Sequence, residues 1–299
     1  MDYNATLSKL SGLIDSYWED YVEHKNLSFV VNPSIPVIWF GNLEAYCNSE
    51  VRVVTIGLNP SNLEFQNKNG SSKLSRFRYA KQLIEKGYNE TLLIESYNKY
   101  FDNEEQDPYK GWFNSYEKVF DCLSDRLSVS YYGKKNNTAI HIDCQSALAT
   151  KPTWSKLKKV FEAPMGADAK KLKQEYPTEL KDITKFPTII KDKLFEELLA
   201  HLKPHIMFFS QSEEEYLDPF INNGFLKDSK PYPTKFIREK QKKLKRIGYR
   251  VRSNQKQLLI FGEYYANQPF GIKTKSDGGE EMRRQREIFN DMIDDFNKW

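Results

Sequence analysis

Four short apolar segments of the chain each run into residues that hydrogen-bond well but are poor nucleophiles. VRVVTIG (51–57) leads into Leu58-Asn59-Pro60-Ser61, and TAIHIDC (138–144) ends on Asp143 and Cys144 before Gln145 and Ser146. HIMFFS (205–210) stops at Ser210 ahead of Gln211, and KQLLIFG (256–262) opens the loop GEYYANQPFG. These ends carry Asn, Asp, Ser and Gln with no histidine cluster, which does not suit a hydrolytic triad. They suit a site that reads a flat, polar ligand by hydrogen bonds and stacking. Asn59 stands between Gly57, which lets backbone and ligand come close, and Pro60, which stiffens the turn. An amide held that way can orient a water or touch a ligand without being a strong base. A Pro-capped loop with no chemical role is the plain alternative.

The elements that must position these residues follow from the pattern. Each apolar segment is short, apolar on both faces and bounded by turn residues, as strands of a parallel sheet are. Helical patterns lie between them at 76–86, roughly 112–126, 190–202, 213–222 and through the C-terminal EEMRRQREIFNDMIDDFNKW. Strand and helix alternating this way predict a three-layer α/β/α fold around a central parallel four-stranded sheet. The chain is expected to form a single domain, 1–299, with an N-terminal helical extension over about 1–30. Segments near 162–190 and 226–255 break the alternation and read as insertions. Ligands of such sheets bind outside the carboxyl ends of the strands, so the four strand ends form one candidate site. His141 and Asp143 alternate along their strand and therefore share a face. A histidine one step inside a strand is more often a satisfied core residue.

Composition narrows the partners. The net charge is only +4, so an anionic partner must be met by a local patch. That patch is KFIREKQKKLKRIGYRVRSNQK (235–256), with ten Lys or Arg against one Glu, while the rest of the chain is slightly acidic. Lys242, Lys243, Lys245 and Arg246 are its expected phosphate contacts. A solvated basic hairpin is the competing reading. Cys47, Cys122 and Cys144 lie far apart without a CxxC pair, against a disulfide scaffold or a zinc ribbon. The N-terminus has no apolar h-region and no apolar run approaches a membrane span, so a cytoplasmic protein is expected. Neither GxGxxG nor GxxxxGK[ST] occurs, which ranks a nucleotide-handling enzyme last.

The ordered set of segments adds a resemblance. GLNPS after the first strand resembles the first motif of the uracil-DNA glycosylase superfamily, a Gly-x-Asn-Pro or Gly-x-Asp-Pro turn. LLIFGEYYANQPFG stands where those enzymes carry a loop that enters the minor groove. PSIPVIWFGNLEAY, DPYKGWF and HIDCQSALATKPTWSKL complete a likeness to bacterial members, covering about residues 32–299 apart from the insertions. QDPY (106–109) matches part of another motif of that family, yet no strand precedes it, so Asp107 reads as a Pro-marked turn.

The resemblance implies a monofunctional DNA glycosylase, which flips a base out of double-stranded DNA and hydrolyses its N-glycosidic bond. No Lys stands in the strand-end motifs to form a Schiff base, and neither cofactor, metal nor obligate protein partner is implied. Asn59 and Asp143 become the expected catalytic residues. Gly57, Leu58, Ser61, Phe65, His141, Ser210, Asn267 and Gln268 are expected to surround the base, with Phe65 beneath it. Phe270 takes the place of the residue that wedges into the stack. Where uracil enzymes usually present Asn to the base edge, this chain has IDCQS. A carboxylate accepts from an exocyclic amine, so Asp143 points to a 5-substituted or glucosylated cytosine such as phage DNA carries. An Asp paired with a buried His would be the structural alternative. A uracil or mismatch repair enzyme, or a module that binds modified DNA without cutting it, are the competing functions.

Overall fold

The computed structural model describes residues 1–102, 107–123, 126–133, 135–211, 213–222, 224, 226, 228–231, 235–236, 246–252, 256–262, 269–271 and 280–297. Helix α1 (Tyr3–His24) starts on Asp2, whose carboxylate accepts from the Ala5 amide at 2.7 Å. It buries Leu10, Ile14, Tyr17 and Tyr21, spaced to form one helical stripe. There follow α2 (Leu43–Asn48), β1 (Val53–Gly57), α3 (Ala80–Lys86), α4 (Glu90–Asn98), α5 (Lys110–Cys122), β2 (Val129–Ser130) and β3 (Asn137–Asp143). The second half holds α6 (Trp154–Glu162), α7 (Ala167–Glu175), α8 (Asp192–Leu202), β4 (Ile206–Phe209), α9 (Glu213–Tyr216) and α10 (Asp218–Asn222). It ends with β5 (Lys230–Pro231), β6 (Lys235–Phe236), β7 (Arg246–Arg252), β8 (Gln257–Gly262) and α11 (Glu280–Asn297). No described helix is long and apolar enough to cross a membrane.

The fold is α/β, and its sheet is mixed rather than a parallel sheet of four strands. Among the described residues eight strands run in the order β2-β3-β1-β4-β8-β7-β5, with β6 also on β7. The four segments predicted as strands are β1, β3, β4 and β8, which are neighbours and parallel. The edges differ from the expectation. β2 extends the parallel part beside β3, while β7 pairs antiparallel with β8 and carries β5 and β6 beyond it. β7 is the Arg-rich RIGYRVR of the basic segment, whose charge hides a strand pattern. Charged residues suit a strand near a sheet edge. Arg250 donates to the Ser229 carbonyl at 3.1 Å, and Val251 is buried.

Every residue of β1 and β3 is buried, which explains why these strands read as apolar on both faces. Thr55 of β1 pairs in register with His141 of β3 and Phe208 of β4, so the three share a face. Phe208 meets Phe120 of α5, Phe289 of α11 and Phe270 at ring distances of 5.9, 6.4 and 6.2 Å. α5 and α11 therefore cover this face. The segment near 162–190 contains α7 and a 3-10 turn whose Phe186 packs at a tilt against Trp154 of α6, ring centres 4.8 Å apart.

Candidate active-site cleft

A cleft of about 400 Å³ opens at the carboxyl ends of β1 and β3. That size lies in the range of roughly 300–1,000 Å³ usual for small-ligand sites. Gly57, Asn59, His141 and Asp143 line it together, and Phe40, Tyr109, Trp112 and Trp154 supply aromatic surface. Parallel pairing explains the convergence. Gly57 lies opposite Asp143, and the ladder runs on past the strand ends. Cys144 donates to the Gly57 carbonyl at 3.0 Å, and Gln145 to that of Leu58 at 2.9 Å. Gly57 is required by space: a Cβ there would lie 2.3 Å from Asp143 Oδ1 and 2.9 Å from His141 Nε2.

Asp143 and His141 belong to a buried polar chain. His141 Nε2 stands 3.5 Å from Asp143 Oδ1, and Nδ1 lies 2.8 Å from the Thr55 hydroxyl, which in turn meets the Tyr131 hydroxyl. Phe40 and Phe113 pack on the imidazole at 5.4 and 5.3 Å. Asp143 is 2% exposed, and its Oδ2 has no hydrogen-bond partner among the described residues. Burial raises its pKa above the ordinary carboxyl value, opposed by His141. Asp143 thus lines the cleft while one of its carboxyl oxygens is buried with no donor among the described residues.

Asn59 has one end tied. Its Nδ2 donates to the Leu148 carbonyl at 2.9 Å and to Thr150 Oγ1 at 3.0 Å. The amide is thereby fixed in orientation, with the acceptor Oδ1 left for other use. Ser61 caps the 3-10 turn 62–64 by accepting from the Leu63 amide at 3.2 Å. That turn brings Glu64 into the cleft, a residue that the strand-end pattern does not point to. Glu64 is buried, accepts from the Tyr100 hydroxyl, and has its pKa pushed up to about 7 by burial. Trp154 and Ser155 open α6 at the cleft, and Thr153 makes no side-chain cap. Two amides of this first turn thus lack intrahelical acceptors.

Several expected site residues lie elsewhere. Phe65 is fully buried, stacked on Phe77 at 5.2 Å, and does not line the cleft. Rings that do line it include those of Phe40, Tyr109, Trp112 and Trp154, which come from segments remote in sequence. Phe270 is no projecting wedge: it is 1% exposed, packed against Tyr116, Phe208 and Phe289. Ser210 lies outside the cleft lining and accepts from the Phe270 amide at 3.1 Å, fixing that turn. Gln211, next to it, does line the cleft. Leu58 and Ser61 line it too. Asn267, Gln268, Lys242, Lys243 and Lys245 lie outside the described residues. Arg246 begins β7, whose Ile247 faces Gly262, so it stands at the edge where β8 ends. Asp107 is more than half exposed and pairs with Lys73 on the surface, while Tyr109 two residues on reaches the cleft.

Two signals in the chain point to more of the lining. The spacing of Ser61 and Glu64 is that of a capped turn, which carries a carboxylate into the cleft that Asn59 also lines. DPYKGWF and KPTWS are aromatic-rich segments after turn prolines, yet nothing local says where their rings go. Among the described residues no three His, Cys, Asp or Glu side chains come together as metal ligands. Comparison of the chain with protein families, with functionally described proteins and with solved structures finds no match.

Proposed function

We propose that the chain is a monofunctional DNA glycosylase with a three-layer, uracil-DNA-glycosylase-like α/β/α fold, acting on a flipped-out, 5-substituted cytosine in double-stranded DNA. The observation that carries this reading is the meeting of Asn59 and Asp143 in one aromatic-walled cleft at the strand ends. A flat base slides between rings such as Trp112 and Tyr109, where stacking contributes about 1–3 kcal/mol per base. Its exocyclic amine donates to Asp143 Oδ2, the oxygen otherwise without a partner. Asn59, fixed by Leu148 and Thr150, presents Oδ1 to the water that attacks the sugar. The base departs with negative charge, and the free amides at the start of α6 stabilise it. The basic segment, from which Arg246 opens β7 where β8 ends, supplies contacts to the DNA phosphates.

A second reading has its own support. Burial raises the pKa of Asp143, and a protonated carboxyl would donate to a carbonyl such as O4 of uracil. Duplexes carrying uracil, a thymine mismatch, hypoxanthine, 5-hydroxymethylcytosine or its glucosylated form separate the two, scored for abasic sites. The first reading expects release of a modified cytosine, little from uracil, and none from Asn59→Ala. Asp143→Asn should move preference toward uracil. Base release retained by Asn59→Ala would rule out the role given to Asn59, and no release from any of these duplexes would end the glycosylase reading.

A further inference from the structure

The glycosylase reading, on which this inference rests, gives the attacking water a holder but gives its proton no destination. Asn59 cannot take it, because a side-chain amide is not a base of useful strength. Around the cleft, Asp143 is committed to the base edge, and His141 is joined to Thr55 on one nitrogen and faces Asp143 with the other. Glu64 is the remaining carboxyl of the lining. It stands on the turn that follows Asn59-Pro60, so one short segment carries both groups. Its Oε2 accepts from Tyr100, whose own hydroxyl also accepts from the Tyr109 amide at 2.9 Å. Its Oε1 has no donor among the described residues, and neither has Asn59 Oδ1. A water has two hydrogens to give, and these two acceptors belong to residues that line one cleft.

We propose that Glu64 is the general base of the reaction, receiving the proton of the water that Asn59 orients. In the step, the water oxygen bonds to C1′ of the deoxyribose. The N-glycosidic bond breaks with its electron pair going to the base. One water proton passes to the Glu64 carboxylate, and the other stays on the new C1′ hydroxyl. The departing base anion then takes a proton from solvent.

The surroundings of Glu64 fit that task. The charged and titratable groups that act on it are Tyr100, Arg76, Lys73 and Asp143. Burial and Asp143 disfavour the ionised form, while Tyr100, Arg76 and Lys73 favour it, leaving the pKa at about 7. A base poised near the operating pH is the most effective compromise between being ionised and being basic. A merely structural Glu64, there to anchor Tyr100, would not shape the pH dependence of base release.

The test uses the intact protein and whichever duplex of the panel the wild type cleaves, under single-turnover conditions across neutrality. The wild-type rate should rise with pH and level off above about 7, because only the ionised carboxyl accepts a proton. Glu64→Gln should slow release by about 10²–10⁴-fold and abolish the rise, while still binding the duplex. Tyr100→Phe removes a donor that favours the ionised form, so the rise should move to higher pH. That variant decides the matter if Glu64→Gln fails to fold. A Glu64→Gln protein with the wild-type rate or profile, or an unmoved profile in Tyr100→Phe, overturns the assignment. Those results with Asn59→Ala inert leave the glycosylase reading standing. A wild type that releases no base from any duplex overturns both.

Discussion

Substituting Gly57 by Ala tests the strand-end geometry without presuming any chemistry. The new methyl would sit 2.3 Å from Asp143 Oδ1, 2.9 Å from His141 Nε2 and 3.2 Å from His141 Cε1. None of these neighbours can yield easily. Asp143 is 2% exposed and in ladder register with residue 57 itself, and His141 is held by Thr55 at 2.8 Å and by aromatic rings. Overpacking of this kind costs about 1–3 kcal/mol. Losing a glycine from a strand returns roughly 0.5–1 kcal/mol, which leaves a net cost of up to about 2.5 kcal/mol, toward the upper end because the 2.3 Å contact is severe. Gly12 supplies the contrast: it lies in the middle of α1, and a Cβ there meets nothing within 4 Å. Gly12→Ala should stabilise by up to about 1 kcal/mol. Urea unfolding measures both, as midpoint shifts of opposite sign with the slope unchanged. Under the glycosylase reading proposed above, Gly57→Ala should also lose base release, because Asp143 must move. A Gly57→Ala protein as stable as the wild type, or fully active, would refute the packing described for the two strand ends.

Phe270→Ala should destabilise the protein by about 3–5 kcal/mol, as expected of a core aromatic; unfolding at the wild-type midpoint with weakened DNA binding would restore it as a wedge. Neutralising Lys242, Lys243, Lys245 and Arg246 should flatten the dependence of log K on log salt by about 0.9 for each phosphate that the variant no longer neutralises, and an unchanged slope would turn the segment away from DNA.

Much of the scaffold is legible in the chain. Runs such as VRVVTIG and HIMFFS are apolar on both faces because their residues in β1 and β4 are covered from both sides. The pattern names those strands, and their polar ends mark the edge where a cleft opens. α4 has a readable start in its Asn89 cap, which accepts from the Leu92 amide at 3.0 Å, yet it sits outside the strand–helix alternation that organises the rest. β7 is hidden because arginines give a strand next to the sheet edge the composition of a solvated segment.

Which side chain reaches the cleft is a different kind of fact. Gly57, Asn59 and Asp143 can be found from sequence because strand ends and the alternation of side chains along a strand are local properties. Phe65 and Phe270 look as suitable as Trp112 and Tyr109 by type and by place after a motif. Both pack among rings from other elements, Phe65 on Phe77 and Phe270 on Phe208 and Phe289. An aromatic ring is the same apolar surface in a core as at a ligand, and only the neighbours brought by tertiary contacts separate the two. Glu64 makes the same point for charge. Its type says surface, but the turn capped by Ser61 folds it inward against Tyr100 and into the field of Asp143. The sequence by itself determined the four central parallel strands and the polar residues at their ends. The tertiary structure alone decided which rings form walls and which carboxyls are buried, because both depend on segments more than thirty residues apart meeting in space.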